Sequence, residues 1–355
     1  MKARLTVDPG VTFSYVYSQP LDDIPLHPTP TTDPPQFVVQ SNDPVDAAID
    51  WARHIGLKVP FICAANEKRA GGDWETGVVG YEERFCRRST LSATLGTIAP
   101  ESDDENYPIP VEGGIWSPTV GMSPSRPEWY TQLLISSPVV FRGRHDQYPE
   151  YKEREWVDLP VCSVAPMRWP KLNQNGTKYS FAEEREMVKN KLRAALKICL
   201  HEGYDNVVIG DWGLGNGYRN PPQELAEMWR EVFLWDPDIR GRFRNVLFAF
   251  EEQGQSTTRL IQDDLQKKSK SKSSSSGGSS SSGGSSGSSG SSSKSKSKSK
   301  HGSSSSGSST NDVQDIAIFA SVFRRPEIDR IIYHQPDPRY GFSALMAPTS
   351  AAFGV

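Results

Sequence analysis

Apolar residues follow two periods along the chain, and the switch between them predicts alternating helices and strands. The segment DPVDAAIDWARHIG (residues 43–56) repeats apolar residues every three to four positions. It begins with an aspartate as cap, a proline takes the first helical position and a glycine closes it, as expected of a capped helix. The next run, VPFICAAN (residues 59–66), is continuously apolar, which is typical of a strand covered on both faces.

The same alternation continues through the chain and predicts an α/β layered domain. Further helices are predicted at residues 81–95, 180–203 and 221–234, further strands at 156–166 and 243–252, and a strand running into a glycine-rich loop at 206–217. In such domains, ligands bind where the carboxyl ends of strands meet the amino ends of helices. The loops that follow Asn66 and Trp212 are therefore the candidate sites.

Composition divides the chain into four segments. Residues 267–310 are Ser, Gly and Lys with hardly an apolar side chain, which predicts a disordered linker that cannot bury enough surface to fold. A solvated insert is the simpler interpretation, and binding of its lysines to an acidic partner is the alternative. Residues 1–36 are rich in proline and predict an extended segment. Residues 37–266 form the domain, and residues 311–355, where a helical period returns, complete it.

Charge and cysteine content exclude several classes of function. A net charge of −3 over 355 residues gives no bulk electrostatic reason to bind a long nucleic acid. The four cysteines lack zinc-type spacing, so neither a metal nor a cofactor is expected. Without a signal peptide or an 18-residue apolar span, we expect a soluble monomer of the nucleus or cytoplasm that does not contact membranes.

The loop GDWGLGNGYRNPPQE alternates three glycines between a strand and a helix that opens with prolines. Gly213, Gly215 and Gly217 would let the backbone approach a ligand, and free N–H groups beside a helix N-terminus attract anions such as a diphosphate. The side chains of Asn216 and Tyr218 would contact a base or a ribose. A flexible strand-to-helix turn is the alternative interpretation of this loop.

The stretch NEKRAGGDWETGVVGYEERFCRRS contains the second candidate loop. Asn66 would hydrogen-bond a hydroxyl, although such residues also form turns. Gly71 and Gly72 would permit close backbone approach. Glu82 and Glu83 stand in the first turn of a helix, where the helix dipole favours carboxylates whatever their function. Because that dipole also favours loss of the proton, a general acid at this position needs an opposing influence such as a bound phosphate.

The segment AGGDWETGVVGYEERFCRRSTL resembles the signature of microbial-type poly(ADP-ribose) glycohydrolases, in which seven residues separate a triple-glycine loop from Gln-Glu-Glu. Here Asp73 stands in place of the third glycine and Tyr81 in place of the glutamine. The segments YPIPVEGGIWSPTV, VCSVAPM, the glycine-rich loop and IAIFASVF are similar to later blocks of that family, in the same order. The resemblance covers residues 37–260 and 313–323.

The resemblance implies a macrodomain-like mixed sheet sandwiched between helices, in a single domain that carries the Ser/Gly-rich insert. It also implies a glycosidase that hydrolyses ribose linkages of poly(ADP-ribose) or of protein-linked ADP-ribose. Glu83 would be the catalytic acid and base, and Glu82 the neighbour that positions the ribose. The expected substrate-binding residues are Asn66, Gly71, Gly72, Asp73, Tyr81, Gly213, Gly215, Asn216, Gly217 and Tyr218.

Two departures from the family pattern leave alternatives open. The carboxylate of Asp73 would repel a phosphate at ~4 Å by about 4 kcal/mol unless it turns away. Tyr81 replaces an amide with an aromatic ring. A macrodomain-like reader that binds ADP-ribose without cutting it is therefore the second hypothesis, and hydrolysis of a small ADP-ribose derivative is the third.

Overall fold

The computed structural model of the protein describes residues 13–18, 21, 24–56, 59–99, 102, 105–118, 138–275 and 313–334. The strands within these ranges are β1 (Tyr15–Tyr17), β2 (Gln36–Ser41), β3 (Phe61–Ala64), β4 (Gly114–Ser117), β5 (Val139–Val140), β6 (Val157–Asp158), β7 (Val161–Val164), β8 (Asn206–Ile209) and β9 (Asn245–Phe250). The α-helices of the same ranges are α1 (Pro44–Ile55), α2 (Tyr81–Arg88), α3 (Leu91–Leu95), α4 (Ala182–His201), α5 (Pro222–Trp235), α6 (Thr257–Ser275), α7 (Asp315–Val322) and α8 (Arg325–His334).

Seven of these strands form one mixed sheet in the order β1-β4-β7-β3-β8-β9-β2. The strands from β7 to β2 are parallel, whereas β4 and β1 are antiparallel to their neighbours. Strand β3 lies near the centre, where Phe61 is paired with Val161 on one side and with Val208 on the other. The predicted mixed α/β fold is confirmed.

The side chains of β3 show how the sheet is covered. Phe61 and Cys63 belong to a core shared with α1, α2 and α3, whereas Ile62 and Ala64 belong to a core shared with α4, α5, α7 and α8. Because successive residues of a strand point to opposite faces, these two cores lie on the two sides of the sheet. The sheet is therefore sandwiched between helices, as the resemblance implies.

The prediction of one helix over residues 81–95 is wrong, because the backbone is extended at Ser89 (φ −144°, ψ 175°). The Ser89 hydroxyl donates to the carbonyl of Phe85 at 2.8 Å and accepts from the amide of Leu91. Serine side chains compete in this way with helical hydrogen bonds. The break leaves α2 as a short helix whose amino end faces the carboxyl ends of the parallel strands.

The C-terminal part packs against the same domain, with α7 against α5 and β2. Helix α6 extends to Ser275, so its end falls in the segment 267–310 that the sequence predicts to be a linker. Residues 276–312 lie outside the described ranges, and strand β1 falls in the segment 1–36 that was expected to be extended. No helix of the described ranges is long and apolar enough to cross a membrane.

Candidate active site

A cavity of about 310 Å³ opens at the carboxyl ends of β3, β7 and β8. Its walls are the segments that follow these strands and the first turn of α2, so both predicted loops contribute to it. The position agrees with the general rule for ligand sites in open α/β sheets, and the volume lies within the range of small-molecule sites. Both predicted glutamates, together with Asn66, Tyr81 and Tyr218, line the cavity.

The Glu82 side chain is buried, with a relative exposure of 1%. The backbone N–H of Asn66 donates to its Oε2 at 2.6 Å, which connects the end of β3 to the start of α2. Burial raises the pKa of Glu82 to about 8; the neighbouring Glu83 acts in the same direction, while the amides of Asn66 and Gly71 oppose the shift. At neutral pH the carboxyl group is therefore mostly protonated, which lowers the negative charge of the cavity.

Two glycines and one amide hold the Glu83 carboxylate. A Cβ at Gly80 would lie 2.0 Å from Glu83 Oε2, and a Cβ at Gly72 would lie 2.3 Å from Oε1. The backbone N–H of Asp73 donates to Oε1 at 3.3 Å. Any larger residue at position 72 or 80 would displace the carboxylate. Gly72 was predicted from the sequence, whereas Gly80, which precedes the first residue of α2, was not.

Gly71 and Asn66 contribute to the shape of this loop. Gly71 has a φ of +73°, and a Cβ there would lie 2.8 Å from Trp74 and 2.9 Å from the Cys86 sulfur. It therefore packs against α2. The Asn66 Oδ1 accepts the N–H of Lys68 at 2.9 Å, which is the turn that its residue type favours. Its Nδ2 would lie 3.3 Å from a Cβ at Gly72, beside the Glu83 carboxylate.

The two residues that depart from the family pattern have partners of their own. The Asp73 carboxylate pairs with the guanidinium of Arg69, so its charge is balanced. Asp73 is not among the residues that line the cavity. The Tyr81 hydroxyl donates to Oε1 of Gln255 at 3.0 Å. The ring of Tyr81 thereby links the first turn of α2 to the segment that precedes α6.

The glycine-rich loop divides into a structural part and a part that faces the cavity. Gly213 and Gly215 have φ angles of +77° and +75°. The Gly215 N–H donates to the Thr257 hydroxyl at 2.8 Å, so this amide is not available to a phosphate. Asn216, Gly217 and Tyr218 line the cavity, where the Tyr218 hydroxyl donates to the carbonyl of Ala64 at 3.3 Å.

A buried carboxylate from beyond the Ser/Gly-rich region organises this loop. Asp315 Oδ1 accepts the N–H of Thr257 at 2.9 Å. Its Oδ2 accepts the Thr257 hydroxyl at 2.6 Å and Nε2 of Gln255 at 3.0 Å. Thr257 in turn holds Gly215, and Gln255 holds Tyr81. One side chain at the start of α7 therefore supports both walls of the cavity.

Three potential metal ligands, Asp43, His145 and Glu251, come together beside α2, with ligand atoms within 4.8 Å of one another. Two arginines of α2 already neutralise the two carboxylates of this group. Arg88 binds both Asp43 oxygens at 2.9 Å, and Arg84 binds Glu251 at 2.6 Å. Since the carboxylates have cationic partners, this group is a salt-bridge cluster that anchors α2.

The sequence of this site matches a known protein family. Residues 7–123, which include Glu82 and Glu83, match the family described as "Microbial-type PARG, catalytic domain", where PARG stands for poly(ADP-ribose) glycohydrolase. The predicted family resemblance is confirmed. A comparison with curated proteins gives no match.

Solved structures of bacterial poly(ADP-ribose) glycohydrolases have a similar fold. The enzyme from Thermomonospora curvata is 18% identical, with a TM-score of 0.52 over 72% of this chain and 85% of that chain. Its complex with the inhibitor ADP-HPD has 18% identity and a TM-score of 0.49, covering 72% and 84%. The Deinococcus radiodurans enzyme in complex with ADP-ribose has 19% identity and a TM-score of 0.44, covering 63% and 81%. The first of these structures supports the fold, and the family match supports the prediction of a poly(ADP-ribose) glycohydrolase-like hydrolase.

Sequence reasoning missed several residues of the site. Gly80 could have been found as the residue before a helix whose first turn carries the glutamates. Arg168 lines the cavity after β7. The sequence around it contains no motif that would indicate a binding residue. Gln255, Thr257 and Asp315 are linked only through tertiary contacts, because Asp315 lies far along the chain from the loop that it supports.

Proposed function

We propose that the protein is an ADP-ribose glycohydrolase. Its substrates would be the O-glycosidic ribose linkages of poly(ADP-ribose) or of terminal ADP-ribose attached to protein. The observation that carries this proposal is the Glu83 carboxylate, held against the backbone at Gly72 and Gly80 in a cavity at the carboxyl ends of the strands. A group that acts on a ligand must be held in place by the residues around it.

In the proposed mechanism Glu83 acts first as a general acid. It donates its proton to the departing ribose oxygen while the C1–O bond breaks and the sugar takes on oxocarbenium character. A water molecule then attacks C1, and the Glu83 carboxylate accepts one of its protons. The products are free ADP-ribose and the hydroxyl of the shortened polymer or protein. The cycle regenerates the protonated acid.

Glu82 would position the ribose beside Glu83. Its buried carboxyl group is fixed by the Asn66 amide at 2.6 Å and is mostly protonated at neutral pH because burial raises its pKa to about 8. A protonated carboxyl group can donate a hydrogen bond to a ribose hydroxyl. In this form Glu82 adds no negative charge to the cavity, which reduces repulsion of an anionic ligand.

The ADP part would lie across the glycine-rich loop, with the diphosphate near Asn216 and Gly217 and the adenine stacked on Tyr218. The solved structures of two family members with ADP-ribose or ADP-HPD agree with a ligand of this class. Partners would be ADP-ribose, its polymer or ADP-ribosylated protein, with no direct contact to nucleic acid. We expect a monomer of the nucleus or the cytoplasm.

A non-catalytic ADP-ribose reader is the second candidate function. It is favoured by Tyr81, whose hydroxyl is held by Gln255 at 3.0 Å in the place where the family has a glutamine. A reader would need the cavity and the glycine-rich loop but not the carboxylate of Glu83.

The two functions are separated by incubating the wild type with poly(ADP-ribose) polymerase that carries labelled polymer. Chromatography of released ADP-ribose gives turnover, and calorimetry with free ADP-ribose gives affinity. We expect both release and binding. Binding without release would support the reader, and absence of both would contradict the proposed function. An exposed acid of the same loop, changed in Glu75→Gln, is the matched control and should retain full activity.

A further inference from the structure

The cavity is lined by more acidic than basic side chains. It can attract an anionic ligand only if one of the basic side chains is not already paired with an acidic one. Four glutamates, Glu67, Glu82, Glu83 and Glu252, line it, and two arginines, Arg84 and Arg168, are their counterparts among the lining residues. A nucleoside diphosphate sugar brings two further negative charges. Charged ligands are bound where an opposite charge compensates them at short range.

Arg84 is already engaged. Its Nη1 binds Glu251 at 2.6 Å and its Nη2 binds Glu252 at 3.3 Å, with 14% of the side chain exposed. A ligand would have to break one of these ion pairs to recruit it. Arg84 therefore anchors α2, and its positive charge is already balanced by these two glutamates.

The side chain of Arg168 has no ion pair or hydrogen bond with any residue in the described ranges. Its guanidinium lies over the Tyr218 ring, 5.6 Å from the ring centroid, and the side chain lines the cavity. Arginine stacks on aromatic faces and retains its five N–H donors for phosphate oxygens. Stacking on Tyr218 thus orients the guanidinium and leaves its donors available.

The backbone that carries Arg168 is fixed to the glycine-rich loop. The N–H of Trp169 donates to the carbonyl of Tyr218 at 2.7 Å, and Nδ2 of Asn220 donates to the carbonyl of Met167 at 2.9 Å. Trp169 has a φ of +54°, in the left-handed region that non-glycine residues rarely adopt. The guanidinium of Arg219 covers its ring at 4.4 Å. Strained backbone held by its surroundings is typical of ligand sites.

From these contacts we infer that Arg168 binds the diphosphate of the nucleotide sugar and supplies the positive charge that the cavity needs. The inference rests on the proposed function and deepens it, because it identifies the residue that distinguishes ADP-ribose from an uncharged nucleoside. The guanidinium donates to phosphate oxygens on the cavity side of Tyr218, beside Asn216 and Gly217. Lysine cannot replace it fully, since an ammonium lacks the planar pair of donors.

The test measures the affinity of the full chain for ADP-ribose, ADP and adenosine by calorimetry, in the wild type, Arg168→Met and Arg168→Lys. We expect Arg168→Met to raise Kd for ADP-ribose and ADP about tenfold or more, with adenosine affinity unchanged and a weaker salt dependence. Arg168→Lys should restore part of the loss. Arg240→Met, which removes an exposed arginine outside the cavity lining, is the matched control.

The outcomes separate this inference from the proposed function. If the wild type binds ADP-ribose and Arg168→Met binds it equally well, the inference is overturned and the proposed function stands. An equal loss for adenosine would also overturn it, because Arg168 would then act on the base through Tyr218. If the wild type binds none of the three ligands, the proposed function itself fails. Thermal denaturation of each variant excludes loss of fold as the cause.

Discussion

Replacement of Thr257 by valine tests whether the buried network at Asp315 supports the glycine-rich loop. Valine keeps the shape of the side chain and removes only the hydroxyl, which accepts from Gly215 at 2.8 Å and donates to Asp315 at 2.6 Å. Leaving a buried N–H unpaired costs about 1–3 kcal/mol, and a lost hydrogen bond to a charged group about 1.5–3 kcal/mol. We therefore expect Thr257→Val to lower the free energy of unfolding by about 2.5–6 kcal/mol.

Urea denaturation measures that loss, and calorimetry with ADP-ribose measures the effect on the loop. Thr257→Ser is the matched control, since it keeps the hydroxyl and removes one buried methyl group, for a cost of about 1 kcal/mol. Affinity should fall in the valine variant and remain near the wild-type value in the serine variant. Equal stabilities of the two variants would refute the reasoning, because the hydroxyl would then contribute nothing beyond packing.

Three further substitutions test other contacts of the site. Gly80→Ala would place a Cβ 2.0 Å from Oε2 of Glu83. The rate of ADP-ribose release should therefore fall about tenfold or more. Unchanged turnover would contradict the proposed placement of the Glu83 carboxylate. Gly215→Val would place a Cβ 2.7 Å from Gln255, at a residue whose φ is +75°. ADP-ribose affinity, measured by calorimetry, should therefore fall. Equal affinity would contradict the role of the glycine-rich loop in binding. Glu82→Gln removes a group whose pKa rises from 4.5 to about 8 on folding. Between these pH values the folded protein holds a proton that the unfolded chain releases, so wild-type stability should decline as pH rises, and the variant should show a flatter urea-denaturation profile. If the wild type and Glu82→Gln showed the same dependence of stability on pH, the raised pKa of the Glu82 carboxyl group would be contradicted.

The sequence predicts those features of the fold that depend on local patterns. The continuously apolar run at residues 59–66 became β3, and the capped segment at 43–56 became α1. Both follow from burial of a strand on two faces and from capping chemistry. The pair Glu82–Glu83 lies in the first turn of α2, as predicted, because that position depends on one helix alone.

Features that depend on tertiary contacts were not predicted. The break at Ser89 requires hydrogen bonds of its hydroxyl that no periodicity encodes. The sequence predicts that Gly215 binds a ligand, whereas its amide donates to Thr257, because Asp315 brings that side chain to the loop. Partners so far apart in sequence leave no local signal.

The rate of ADP-ribose release by Glu83→Gln, compared with the wild type at equal substrate occupancy, tests the central claim most directly. Glutamine keeps the size of the side chain and its contact with the Asp73 amide, but it cannot transfer the proton. We expect release from labelled poly(ADP-ribose) to fall by about a hundredfold or more, with ADP-ribose affinity close to that of the wild type. Full turnover by Glu83→Gln would contradict the catalytic role of Glu83.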